Sequence, residues 1–160
     1  MNREQAVALV AQLGPELGGD PGSYSMDERG EAHFVFKDQM GVMIRHERAV
    51  LVIACTVGSI PPSADPSVFA ELLGYQFLGL RTLGAALSWN STDDGLLLSR
   101  MVSGEPTAAD LARELGILLR TAEVVQEEVK PILEGRFSLA EEPEGEVVSA
   151  EPQFNAFNRA

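Results

Sequence analysis

The chain has 160 residues, one domain's worth, with 45% hydrophobic and 22% charged residues. Its formal net charge of −12 argues against nucleic acid or an anionic membrane surface as partner, since both call for positive charge, and favours a basic one. The single cysteine, Cys55, excludes an intrachain disulfide.

Asn2 can cap a first helix, with Gln5 three residues on to complete a capping box. Ala6, Val7, Leu9, Val10 and Leu13 recur at helical spacing, and Gly14-Pro15 is expected to stop the helix. This N-terminus lacks the continuous apolar core of a signal peptide, and no apolar run approaches a membrane span. With one cysteine, the chain reads as cytosolic and not membrane-inserted. Three strand-like runs follow: "AHFVFKD", "VMIRHE" after the short turn "QMG", and "AVLVIACTVGSI". Their close spacing predicts an antiparallel meander, ended by Pro61 and Pro62.

Asp65 as N-cap and Pro66 at the first helical position open a second helix, "DPSVFAELLGYQFLGLRT". The stretch "TLGAALSWNSTDDGLLLSRMV" reads as two strands around the turn "NSTDDG". Alternation sends Leu96 and Leu98 to one face and Leu97 to the other, so apolar groups stand on both sides of this hairpin. A long helix then starts at the cap Thr107, with Asp110 as a weaker capping-box acid. Leu111, Leu115, Leu118, Ala122, Val125, Val129 and Ile132 form its apolar stripe, and Pro131 is expected to kink or end it.

From Arg136 the sequence is acidic, with Glu141, Glu142, Glu144, Glu146 and Glu151. Composition predicts a folded domain over 1–135 and a mobile tail over 136–160, its end docked through Phe154 and Phe157. The element order is α-β-β-β-α-β-β-α. It predicts an α+β fold, a twisted antiparallel sheet with helices packed against it.

No catalytic constellation emerges. Cys55 lies among Ile53 and Val57, and the two histidines, His33 and His46, sit in strand-like runs without a motif. A buried structural cysteine fits this better than a nucleophile, and no metal-ligand spacing is present. "STDDG" is half a calcium loop without its closing acid, better read as a hairpin turn. "GLRTLG" has glycines but no "GK[ST]" or "GxGxxG" to hold a phosphate. "NST" at Asn90 reads as chance in a chain without a secretion signal.

The informative feature is surplus apolar surface. On a helical wheel over 68–80, Val68, Phe69, Leu72, Leu73, Tyr75, Phe77, Leu78 and Leu80 cover nearly the whole circumference. One side can rest on the sheet; the other calls for a second molecule. In the hairpin, Ala86 and Ser88 leave a small-residue face suited to close approach, opposite Leu87 and Trp89. A second face this apolar needs a helix, a partner subunit or a ligand chain over it.

The segment 57–102 resembles the central signature of the class I type III secretion chaperones, the Tir-chaperone family: an apolar strand into a Gly-x-x-Pro turn, a helix of the form "LL…NFLG…T.GA.LSL", and a "DG" hairpin into "L.L.R". Gly58, Pro61, Leu72, Leu73, Phe77, Leu78, Gly79, Thr82, Gly84, Ala85, Leu87, Ser88, Asp94, Gly95, Leu96, Leu98 and Arg100 carry it. Trp89, Asn90, Gln76 and the acidic tail depart from it. The resemblance implies a non-enzymatic homodimer of the bacterial cytosol, without cofactor or metal. It would hold the N-terminal segment of a secreted virulence effector partly unfolded and help deliver it to the secretion apparatus, whose ATPase is a further partner. The implied dimer contact is Val68, Phe69, Leu72, Leu73, Phe77, Leu80, Ala86 and Ser88. The implied effector contact is Leu9, Leu13, Phe34, Phe36, Ile44 and Leu97. Two other readings stay open: a regulatory interaction domain of the same fold with no secretion substrate, and a small hydrolase that an accessible, acidic Cys55 would revive.

Overall fold

A computed structural model describes residues 1–36 and 40–135. Of the expected turn "QMG", Met40 and Gly41 belong instead to the second strand, while residues 37–39 and the acidic segment 136–160, with Phe154 and Phe157, lie outside the described residues.

The first helix, α1 (Arg3–Ala11), begins with the capping box: Gln5 N–H donates to Asn2 Oδ1, and the Gln5 side chain accepts from Asn2 N–H. It does not end at Gly14-Pro15. The chain breaks at Gln12 and makes one more turn, α2 (Leu13–Glu16), which takes up both residues. Proline fits there because first-turn N–H groups have no intrahelical acceptor. The loop after α2 folds back so closely that a methyl on Gly14 would overlap the Asp20 carbonyl. Gly14→Ala, where backbone cannot yield, is therefore expected to cost about 1–3 kcal/mol, read as a lower denaturation midpoint with an unchanged slope.

Strands β1 (Glu31–Phe36), β2 (Met40–Glu47) and β3 (Val50–Ser59) form the meander, and β4 (Ala86–Asn90) and β5 (Gly95–Val102) the hairpin. The single antiparallel sheet has the order β1-β2-β3-β5-β4. Register separates its faces. Phe34, Val42, Cys55, Leu98 and Leu87 form one row, with Ala32, Ile44 and Ile53 beside it. This face is covered by helices. On the opposite face His33, Met43, Ala54, Ser99 and Ala86 form a row across all five strands, flanked by Thr56–Leu97–Ser88 and by Arg45–Val52–Met101. That face is open.

Helix α3 (Pro66–Gln76) starts as expected, Asp65 Oδ1 accepting from Ser67 N–H with Pro66 in the first turn. It does not continue to Leu80. It gives way at Phe77 to a 3-10 turn (Phe77–Gly79) in which Leu78 has φ 57°. Helix α4 (Ala108–Leu133) carries a full capping box, Thr107 and Asp110 each bonding the other's backbone N–H. Pro131 stands inside its last turn, and the helix closes two residues later. Leu111, Leu115, Leu118, Ala122, Val125 and Val129 are completely buried; α4 packs mainly on β3, with α2, β5 and α3 around it. A bulge at Val57 and the bare Cα of Gly58 let α4 close in; a Cβ there would meet Leu133 Cδ1 at 2.5 Å.

Candidate functional site

Two surfaces stand out. The first is where α3 ends. Leu73, Phe77, Leu78, Leu80 and Leu83 are each 65–75% exposed. So much uncovered aliphatic surface on a chain with a closed core marks a contact region. Its backbone is held in place. Leu78 (φ 57°) and Leu83 (φ 50°) both adopt the left-handed region, which costs a side-chain-bearing residue about 1–2 kcal/mol each. Thr82, fully buried, donates its hydroxyl to the Ala85 carbonyl at 2.6 Å. Arg100 donates to the Leu83 carbonyl at 3.2 Å and pairs with Glu114 of α4 at 3.2 Å. Tyr75, inside the core, donates to Glu128 at 2.6 Å under the Arg81 guanidinium. Burial, then the Glu128 carboxylate, raise its phenol well above the ordinary range.

The structure divides the expected dimer contact. Leu73, Phe77, Leu80, Ala86 and Ser88 are exposed, whereas Val68 and Leu72 are core side chains of the single chain, 5% and 6% exposed. The all-round helical wheel put them outside only because it ran past the end of the helix. Phe69 is half-buried, edge-on to Trp89 with ring centroids 5.3 Å apart. Leu83 escaped the sequence reading, whereas Met101, expected on the hairpin's outer face with Leu97, is 76% exposed. The signal for Leu83 was a leucine isolated between Gly79 and Gly84, which marks a loop.

The second surface is the open face of the sheet with the β1 edge. His33, Val35, Met43, Arg45, Thr56 and Leu97 line a trough of ≈ 710 Å³. Glu31 pairs with His33 (3.3 Å) and Arg45 (3.5 Å), and Arg45 with Glu47 (3.1 Å); such exposed pairs add little stability. At the edge, Asp27 closes the first position: Glu31 N–H donates to its carboxylate and Asp27 N–H to the Glu31 carbonyl. The Glu31 amide is the main cause of Asp27's lowered pKa. By alternation His33 and Val35 also turn N–H and C=O outward, and among the described residues no hydrogen bond occupies them. Val35 is 66% exposed.

Of the expected effector contacts, Phe34 and Phe36 are half-buried near this edge, with Phe34 against Tyr24, and Leu97 reaches the trough. Leu13 and Ile44 are fully buried, and Leu9 shows only its rim in a ≈ 330 Å³ groove beside α1. All three are part of the closed core: Leu9 of α1, Leu13 of α2 and Ile44 on the helix-covered face of β2 point inward, and Val7 faces out instead.

Cys55 is buried on the helix-covered face, and desolvation pushes its thiol from an ordinary 9.0 up to about 12. A thiol reagent at pH 7–8 is expected to label it only at the rate of unfolding. Since the unfolded thiol loses its proton near 9.0 and the folded one near 12, stability falls as pH rises through that window. Among the described residues no three His, Cys, Asp or Glu side chains converge on a metal site, and no helix is long and apolar enough to cross a membrane.

The family model of the Tir chaperone protein (CesT) family matches residues 8–126. No curated protein matches the chain. Among solved structures, one chain of the ExsC-ExsE complex is similar, with TM-score 0.67 at 21% identity, covering 79% of this chain and 95% of that one. A chain of the HopA1-SchA chaperone-effector complex gives 0.61 at 16%, covering 79% and 98%. One from the Yersinia pestis type III secretion chaperone SycH in complex with a fragment of YscM2 gives 0.54 at 18%, covering 75% and 98%.

Proposed function

The chain belongs to the Tir chaperone protein (CesT) family, and we propose that it acts in the bacterial cytoplasm as a type III secretion chaperone. It works as a homodimer and binds the N-terminal segment of a secreted effector in extended form. The observation that carries this reading is apolar and edge surface held outside a closed core at two separate places. The strained loop with Leu78, Leu80 and Leu83 suits a second copy, because a two-fold contact hides it without leaving a site for further growth. The trough and the β1 edge suit a peptide: an added strand would bond His33 and Val35 while its alternate side chains lie beside theirs at the mouth of the trough. Binding an unfolded segment spreads many modest contacts along a path, offsetting the entropy lost on ordering it.

Supporting the reading further are neighbours solved as a chaperone-effector complex and as a secretion chaperone with a protein fragment. The net charge of −12 would speed encounter with a basic segment or with the secretion ATPase. The test is titration of the purified chain with N-terminal segments of candidate secreted effectors. Saturable binding, slowed in its on-rate by salt, is expected; no binding to any candidate segment would overturn the proposal and favour a regulatory domain of the same fold.

A further inference from the structure

The sheet ends at β4, and an end strand exposes unpaired N–H and C=O groups on which another strand can grow. Here the first part of that edge is occupied by a side chain. Gln76, the last residue of α3, donates from Nε2 to the Ala85 carbonyl at 3.1 Å and accepts from the Leu87 N–H at 2.7 Å through Oε1. These are the two bonds that one residue of a parallel sixth strand would make. They tie the end of α3 to the start of β4, so the residues between are pinned at both ends, and those residues include Phe77, Leu78, Leu80 and Leu83.

We infer that Gln76 is the positioning residue of the contact between two copies of this chain: it closes the β4 edge to strand pairing and fixes the strained apolar loop, so that copies associate face to face through side chains and stop at two. The inference rests on the homodimer reading above. Two observations carry it beyond that reading. The edge beside the most apolar surface of the molecule is blocked by a residue whose amide supplies both the donor and the acceptor the edge needs. The loop also departs from helix at the residue immediately after Gln76, with Phe77 at ψ 121°. At the far edge, His33 and Val35 of β1 carry no such lock among the described residues, so strand addition is directed there.

The test compares the full-length chain with Gln76→Leu, of similar size but without the amide, and with Gln76→Glu, which keeps the acceptor for Leu87 and loses the donor. Amide hydrogen exchange at Leu87 and sedimentation over a range of concentrations are read together. In the wild type, Leu87 N–H should exchange at least about tenfold more slowly than in Gln76→Leu, while Ser88 stays protected in both. Gln76→Leu should weaken the dimer about tenfold or more and form species larger than two copies as concentration rises; Gln76→Glu should fall between. A Gln76→Leu protein with wild-type dimer affinity, no larger species and unchanged Leu87 exchange would overturn the inference. Should Gln76→Leu not fold, the same criteria apply to Gln76→Glu. A monomeric wild type would sink the homodimer reading and this inference's face-to-face contact with it. Leu87 exchange would then report on the edge lock alone.

Discussion

Phe77→Asp is expected to give a folded monomer. Phe77 is 69% exposed in the single chain, so replacing it empties no core space, and the helix has already ended at Gln76. In a two-fold contact, however, the substitution would place two carboxylates among Leu78, Leu80 and Leu83. An ionised carboxylate taken from water into apolar surroundings without a partner loses several kcal/mol. Dimer affinity should therefore fall at least about a thousandfold, with thermal unfolding of the monomer remaining cooperative. Leu72→Asp makes the contrast: Leu72 is 6% exposed in the single chain, so that change should abolish folding rather than association. Light scattering and a denaturation curve on each variant separate the two outcomes. A Phe77→Asp protein that stays dimeric at micromolar concentration contradicts the assignment of this surface.

Val35→Pro should leave the fold and the dimer intact and cut effector-segment affinity by about tenfold or more. Proline is tolerated in an edge strand where the lost N–H points to solvent, and the alternation from Glu31 places Val35 N–H on that side. Its ring then removes a donor and obstructs an incoming strand. Loss of a hydrogen bond and of the neighbouring ladder contacts adds up to 1–2 kcal/mol by ordinary mutational scales, hence the tenfold expectation. Calorimetry against the segment and the mass of the free protein check it. Unchanged affinity would move the effector off this edge and onto the trough or the groove beside α1.

Local signals were legible wherever the chain obeys local rules. The stripe from Leu111 to Val129, the Asp65-Pro66 start of α3 and the capping boxes at Asn2 and Thr107 each follow from spacing or from a side chain reaching its own helix. The end of α3 was not legible. Phe77, Leu78 and Leu80 continue the apolar pattern, but the helix stops because Gln76 bonds a strand nine to eleven residues on, an interaction no periodicity records. The same limit explains Leu9, Leu13 and Ile44. Apolar residues of a core and of an interface read alike, and only packing decides that these three face inward while Leu73, Leu83 and Met101 face out. The exposure of Leu83 came from the geometry of a loop with two leucines at positive φ, a conformation that leucine gives no hint of in sequence.

The most direct test of the chaperone reading is the mass in solution of the chain co-expressed with the N-terminal segment of an effector it binds, measured by light scattering during size exclusion. The account predicts one species containing two copies of the 17.2 kDa chain and the bound segment, in which the segment lacks a cooperative unfolding transition of its own. A species with the mass of one chain, eluting free of the segment, would contradict it.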